Sequence, residues 1–247
     1  MNFKVIAVIP SRYDSSRFPG KPLADIQGKS MIQRVYEQAK SCKDLDDVIV
    51  ATDDQRIYSH VESFGGKVAM TSSTHESGTD RCGEVLKNYK GEVAVVVNIQ
   101  GDEPFIQAEQ ISALVNVFKD EAVDISTLAK KIEIDEQLHD PNLVKVVKQA
   151  NSFALYFSRS PIPYYRGKTN TNWCENHDYF KHVGIYAYRA NVLEELVQLA
   201  PSALEKTESL EQLRWLENGY KIHVGNTLHE SIGIDTPEDL AAVNNKL

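Results

Sequence analysis

The stretch Val93-Ala94-Val95-Val96-Val97-Asn98-Ile99-Gln100-Gly101-Asp102-Glu103-Pro104 decides how this chain folds. Its first five positions are apolar without alternation, the pattern of a strand covered on both faces. Such a strand belongs in a parallel sheet with helices above and below. Gly101 then permits close backbone approach, Pro104 stops the strand, and Asp102 is left at its C-terminal tip. Ligands of open α/β sheets bind at that edge. A carboxylate there is placed to meet a hard cation shared with a nucleotide phosphate, because magnesium is held through one or two carboxylates plus phosphate oxygens. A turn carrying ordinary acids is the plainer alternative.

Outward from this strand the chain alternates. Val5 to Ile9, Val48 to Ala51 and Val68 to Met70 read as further strands. Between them, Met31, Ile32, Val35, Tyr36 and Ala39 mark a helix face after the N-cap Ser30, and Ile57, Val61 and Phe64 mark another that Gly65-Gly66 stops. Thr79 to Tyr89 is helical, and Ile111, Leu114, Val115 and Phe118 give one more amphipathic helix. Strands alternating with helices predict a parallel-rich sheet with right-handed crossovers. After about residue 130 the rhythm changes. Leu143 to Lys148, Phe153 to Phe157 and Val183 to Tyr188 are strands with few helices between them, and Thr169 to Asn172 reads as part of a long surface loop. Helical spacing returns at Val192–Val197 and Leu210–Leu216, then a strand at Ile222 to Val224 and a closing helix from near Thr236. The expected architecture is an α/β, Rossmann-like core over 1–130, an inserted α+β region over 131–205, and a return to the core over 206–247.

Thirty-five acids against 27 bases give a net charge of −8, which disfavours a general nucleic-acid binder or an anionic membrane partner. No run approaches the roughly 18 apolar residues of a membrane span. The short opening apolar run ends at Pro10 without small cleavage-site residues, so it reads as a strand and not as a signal peptide. Three scattered cysteines form neither a CxxC pair nor a disulfide framework, which suits a reducing, cytoplasmic setting.

The first turn, Pro10 to Pro22, holds Arg12, Arg17, Lys21, Gly20 and the serines 11, 15 and 16. Arg forks and a Lys point charge suit a triphosphate. A dinucleotide fingerprint needs G-x-G-x-x-G here and none is present. Gly28-Lys29-Ser30 resembles the end of a P-loop but has Leu23 where that motif needs Gly. In Thr74-His75-Glu76-Ser77-Gly78-Thr79-Asp80-Arg81, His, Ser and Asp lie too close together for a hydrolase triad and lack the G-x-S-x-G elbow. A helix N-terminus capped by Ser77 or Thr79 fits better, and it leaves backbone N–H groups for a ligand. Near the C-terminus, Pro237 marks a helix start, so spacing alone makes Asp235 or Thr236 an N-cap. His182, Tyr186 and Tyr188 share one strand face that suits an anionic, hydroxyl-rich ligand, with Arg159 and Arg166 as carboxylate partners, although a solvated strand face looks the same. Glu211 and Gln212 read as helix-surface polarity.

Taken together, Ile9 to Leu23, His75 to Arg81, Val97 to Pro104, Ala154 to Arg159, His182 to Tyr186, Leu210 to Arg214 and Gly233 to Leu240 resemble the CMP-Kdo synthetase (3-deoxy-manno-octulosonate cytidylyltransferase) family, in one collinear order. The resemblance implies a nucleotidyltransferase that joins CTP to the eight-carbon acid sugar Kdo, giving CMP-Kdo and pyrophosphate for lipopolysaccharide assembly. It puts Arg12 and Lys21 on phosphate-binding positions and Ser77, Gly78, Thr79 and Arg81 in the nucleotide pocket. Asp102 and Asp235 fall on magnesium positions, which replaces the cap reading of Asp235. Gln100, Arg159, Arg166, His182, Tyr186, Glu211 and Gln212 fall on the Kdo side, with Gln100 also beside the nucleotide. A homodimer formed through the inserted region is implied as well. A CMP-sialic acid synthetase, another sugar nucleotidyltransferase, and a catalytically silent nucleotide-sugar sensor are the alternatives.

Overall fold

Burial decides the architecture before any motif does. Val5–Ile9, Val48–Ala51 and Val95–Val97 are all nearly or fully excluded from solvent, as strands with helices on both faces must be. The computed structural model describes residues 3–14, 17–167, 171–230 and 233–245. Ser15, Ser16 and part of the polar stretch from Thr169 lie outside the described residues.

In chain order, β1 (Val5–Ser11) leads through a single 3-10 turn, Lys21–Leu23, to a small hairpin of β2 (Asp25–Ile26) and β3 (Lys29–Ser30). Then follow α1 (Met31–Ser41), β4 (Asp47–Thr52), α2 (Gln55–Ser63), β5 (Val68–Met70), α3 (Gly78–Asn88), β6 (Val95–Asn98) and α4 (Ala108–Asn116). The middle of the chain gives β7 (Ile125–Ile132), α5 (Asp135–His139), β8 (Lys145–Lys148), β9 (Ala154–Ser158), α6 (Trp173–Asn176) and β10 (Tyr179–Arg189). The last part supplies α7 (Ala190–Leu196), α8 (Ala203–Glu208), α9 (Gln212–Glu217), β11 (Ile222–Asn226) and α10 (Pro237–Asn244). Ser30 caps α1 as its position suggested, its side chain accepting from Gln33 N.

The main sheet runs β11-β7-β10-β6-β1-β4-β5, with β8 and β9 attached beside β10. β1 is parallel to both β4 and β6, β4 to β5, and β11 to β7, while β10 runs antiparallel to its neighbours β6 and β7. From β1 the chain builds toward β5 on one side and then crosses to place β6 on the other. The gap between the β1 and β6 tips is therefore the topological switch point, where open α/β sheets hold ligands.

Two features depart from the sequence reading. The strand β7 goes unnamed there, because its two buried faces carry Ser126 and Thr127 and its end carries Lys130 and Lys131 in place of apolar alternation. Ser126 satisfies its hydroxyl on Leu114 O of α4, so its polarity costs little in the core. The segment 131–205 also contributes β10 to the middle of the sheet, between β6 and β7, so core and inserted region share one hydrogen-bonded framework.

Candidate active site

The switch point carries the densest polar chemistry. Residues of the first turn, from Pro10 to Pro22, face Gln100, Gly101 and Asp102 across a cleft of about 350 Å³. The two loops meet so tightly that a Cβ on Gly101 would lie 2.8 Å from Pro10 O, which explains the glycine. Gly20, at φ 74°, donates its N–H to Tyr13 O and closes the first turn, after which the 3-10 turn carries Lys21 back into the cleft. The Lys21 ammonium donates to Asp102 Oδ2 at 2.7 Å and to Asp235 Oδ1 at 3.1 Å.

Two devices deliver Asp235. Ile234 N donates to Asp102 O at 3.0 Å, stitching the C-terminal segment to the loop after β6. Thr236, not Asp235, caps α10 by accepting from Asp239 N, within a full capping box. That leaves the Asp235 carboxylate free to face Lys21, and Arg17 approaches it to 3.3 Å. Arg17 belongs to this group, as the charge-rich first turn suggested, although the family resemblance gave it no position. Arg12 turns across the mouth of the cleft to donate to His75 O at 2.5 Å.

The second wall is the start of α3. Ser77 caps it, accepting from Asp80 N while Asp80 accepts from Ser77 N. A Cβ on Gly78 would stand 3.3 Å from the Pro10 ring, so the helix end abuts the tip of β1. The preceding loop is braced by His75, paired with Glu84 at 2.5 Å, and by Ser72 N donating to Glu84. Arg81 is fully buried and donates to Asp53 Oδ2 and Thr71 Oγ1, both at 2.7 Å, and to Ser72 O. Its guanidinium thus ties the ends of β4 and β5 to α3, away from the Lys21 cluster. Thr79 points the other way, donating to Glu211 Oε2 at 2.9 Å. Burial raises the Glu211 carboxyl above its ordinary range, with the Thr79 and Ser77 hydroxyls opposing.

The third wall is β10. Its pairing with β7 steps from Val183 opposite Leu128 to Tyr186 opposite Thr127, so Gly184 and Ile185 form a bulge. Gln100 Nε2 donates to Gly184 O at 3.1 Å and joins the bulge to the loop after β6. His182 lies between the Phe157 and Tyr186 rings, with centroids 5.1 and 5.3 Å away, and its Nε2 is 2.9 Å from Thr127 Oγ1. Burial lowers its pKa to about 3, so the imidazole is neutral at physiological pH. Tyr186 and Tyr188 stack on each other and meet the edge of Trp215. Gln212 is buried at the start of α9, beside Glu211. The buried atoms Ser11 Oγ, Asn98 Oδ1, Tyr186 OH and Tyr188 OH have no well-formed hydrogen bond. Orphans of this kind cluster where a polar ligand completes the pairing. Asn98 was not singled out from the sequence; its place opposite Tyr186 is set by the pairing of β6 with β10.

Arg159 sits farther along the inserted region. Its guanidinium donates to Glu208 O at 2.8 Å, Pro141 O at 3.2 Å and Ser209 O at 3.4 Å. Three of its five N–H donors are used in this way, which leaves two for a ligand. Its own carbonyl accepts from the buried Lys145, which also donates to Asp140 O and Leu143 O. Arg166 is exposed, in a turn shared with Gly167.

Comparison with known proteins agrees with this arrangement. The cytidylyltransferase family matches residues 6–222. A 3-deoxy-manno-octulosonate cytidylyltransferase of Parabacteroides distasonis is 58% identical over 241 residues, covering 96% of this chain and 95% of the relative. One from Cytophaga hutchinsonii is 53% identical over 243 residues, covering 98% and 97%. A solved CMP:2-keto-3-deoxy-manno-octonic acid synthetase, complexed with CTP, superposes with a TM-score of 0.91 at 45% identity and covers 98% of each chain.

Proposed function

Because this chain belongs to the cytidylyltransferase family and forms CMP-Kdo from CTP, we propose that the three walls of its cleft divide the work of triphosphate, metal and sugar. The observation that carries the proposal is Lys21 bridging Asp102 and Asp235 at the switch point, with Arg12 and Arg17 beside it. Triphosphate, sugar carboxylate and attacking oxygen bring several negative charges together, and this is where the fold gathers cations and cation-binding carboxylates. In such transfers alignment and charge stabilisation do most of the catalysis.

Arg12 and Lys21 bind the triphosphate in this reading, with Arg17 assisting. Ser77, Gly78 and Thr79 present the start of α3 to the nucleotide, and Arg81 holds that helix and its loop in place from behind. Among the described residues no three His, Cys, Asp or Glu side chains converge to hold a metal alone. Asp102 and Asp235 do converge on one cation, Lys21, so their donor set fits a magnesium ion that takes its remaining ligands from phosphate and water. Bound there, magnesium would neutralise charge on the departing pyrophosphate. Gln100, His182, Tyr186, Glu211 and Gln212 form the sugar wall, and Arg159 and Arg166 approach the Kdo carboxylate from the inserted region. The same region, 131–205, serves dimerisation, and the chain works in the cytoplasm. Among the described residues no helix is long and apolar enough to cross a membrane.

The test is pyrophosphate release with CTP and magnesium against a panel of acid sugars. Kdo should be preferred over sialic acid, and turnover should need the metal. Equal use of both sugars would refute the proposed sugar wall.

A further inference from the structure

The bulge on β10 contains a proton assignment that reaches the sugar. Thr127 is fully buried on β7, and its Oγ1 lies 2.8 Å from Ile185 O, 3.2 Å from Val183 O and 2.9 Å from His182 Nε2. A hydroxyl has one proton, and both carbonyls can only accept. Two oxygens 2.8 Å apart hold that distance because the proton lies between them, so Thr127 donates to Ile185 O. His182 Nε2 must therefore carry hydrogen and donate to Thr127. Nδ1 is then the bare nitrogen of a neutral ring, and among the described residues nothing pairs with it.

From this geometry we propose that Thr127 is a positioning residue that fixes His182 as a hydrogen-bond acceptor toward the sugar, so that the ring reads a Kdo hydroxyl and not its carboxylate. An acceptor nitrogen attracts an O–H and repels a carboxylate oxygen, which leaves carboxylate recognition to the guanidinium side. Burial of the ring works in the same direction, since it disfavours the imidazolium that would attract a carboxylate. The bulge is held from its other side by Gln100 on Gly184 O, so the loop bearing Asp102 and the ring of His182 share one support. The proposal rests on the sugar-side reading of His182.

Two measurements test it. Long-range proton–nitrogen NMR of the nitrogen-15-labelled enzyme at pH 7 should show His182 protonated on Nε2 and bare on Nδ1. Protonation on Nδ1, or on both nitrogens, would overturn the proposal without any variant. Thr127→Val keeps the shape and removes the hydroxyl. It should raise the KM for Kdo by about tenfold, the effect expected of one misdirected hydrogen bond, and leave the CTP dissociation constant within about threefold. Thr127→Ser should restore both the tautomer and the KM. A folded Thr127→Val enzyme whose Kdo KM stays within about twofold of wild type refutes the role of Thr127. His182→Ala checks the underlying reading separately: an unchanged Kdo KM there, with the Nε2 tautomer confirmed, removes His182 from the sugar wall and the hydroxyl-reading role with it.

Discussion

Lys21 stands where two carboxylates need a cation, and that sets the clearest expectation at the scale of single residues. Asp102→Asn keeps the shape and removes a charge, so kcat for pyrophosphate release should fall on the order of 10² or more at saturating magnesium. Near-normal kcat would mean that Asp102 plays no part in charge stabilisation. Arg159 makes a subtler case, because its side chain already holds three backbone carbonyls. Arg159→Ala should therefore do two things at once. The melting temperature should drop, since the carbonyls of Pro141, Glu208 and Ser209 lose a half-buried donor, and the KM for Kdo should rise tenfold or more while the CTP dissociation constant stays within about threefold. Calorimetry beside Kdo saturation curves separates the two effects; a lower melting temperature with an unchanged Kdo KM would reduce Arg159 to a brace. Much of this was readable in advance. The charge-rich first turn, Asp102 at a strand tip and the polar face of 182–188 are local patterns. That Arg81 faces Asp53 and not the cleft could not be read, because a guanidinium's direction depends on what β4 and β5 bring to it.

Between elements, the contact that matters most is the one across Gly101. A methyl group there would sit 2.8 Å from Pro10 O, so Gly101→Ala must push the loop after β6 away from the tip of β1. Asp102 moves with that loop and loses its register with Lys21. Activity should fall far more than stability does, and a variant with wild-type kcat would show that the loop has slack. Ser77→Ala tests a different joint. Losing this cap should cost about 1 kcal/mol in chemical denaturation and loosen the end of α3 that abuts Pro10, so CTP affinity should weaken alongside. Apart from the β2–β3 hairpin, the strands and helices of the first half follow from spacing alone. The strand β7 did not, because a central strand carrying Ser126, Thr127 and two lysines breaks the apolar pattern, and its polar groups find partners only in the folded chain, Ser126 on α4 and Thr127 on the β10 bulge.

For the molecule as a whole, pH and metal give the broadest tests. His182, lowered to about 3 by desolvation of its ring, and His223, lowered by burial, bind fewer protons folded than unfolded. Stability should then rise with pH through the window from about 3 to 6.5, be fully present above the unfolded value near 6.5, and be lost as the solution is acidified. His182→Gln should flatten that slope in urea melts at stepped pH; an unchanged slope would mean that the ring titrates normally. The paired carboxylates of Asp47, Glu84 and Glu205 act in the same direction but lower, below their ordinary range near 4. EDTA should abolish turnover, and magnesium should restore it and bind more tightly once CTP is present. Full activity in metal-free buffer would overturn the role given to the carboxylate pair.

The stitch between Ile234 and the loop after β6 also fixes when a newly made chain becomes an enzyme. Asp235 lies 214 residues after Lys21, its partner in the cleft, whereas the last sheet strand is already complete at Asn226. A ribosome can thus finish every strand of the framework while the carboxylate pair is still missing a member. The remaining residues emerge on the order of a second later, at ordinary rates of translation. A chain ending at Asn226 would carry every strand of the sheet together with Lys21 and Asp102, and would lack only Asp235 from the cluster around that lysine.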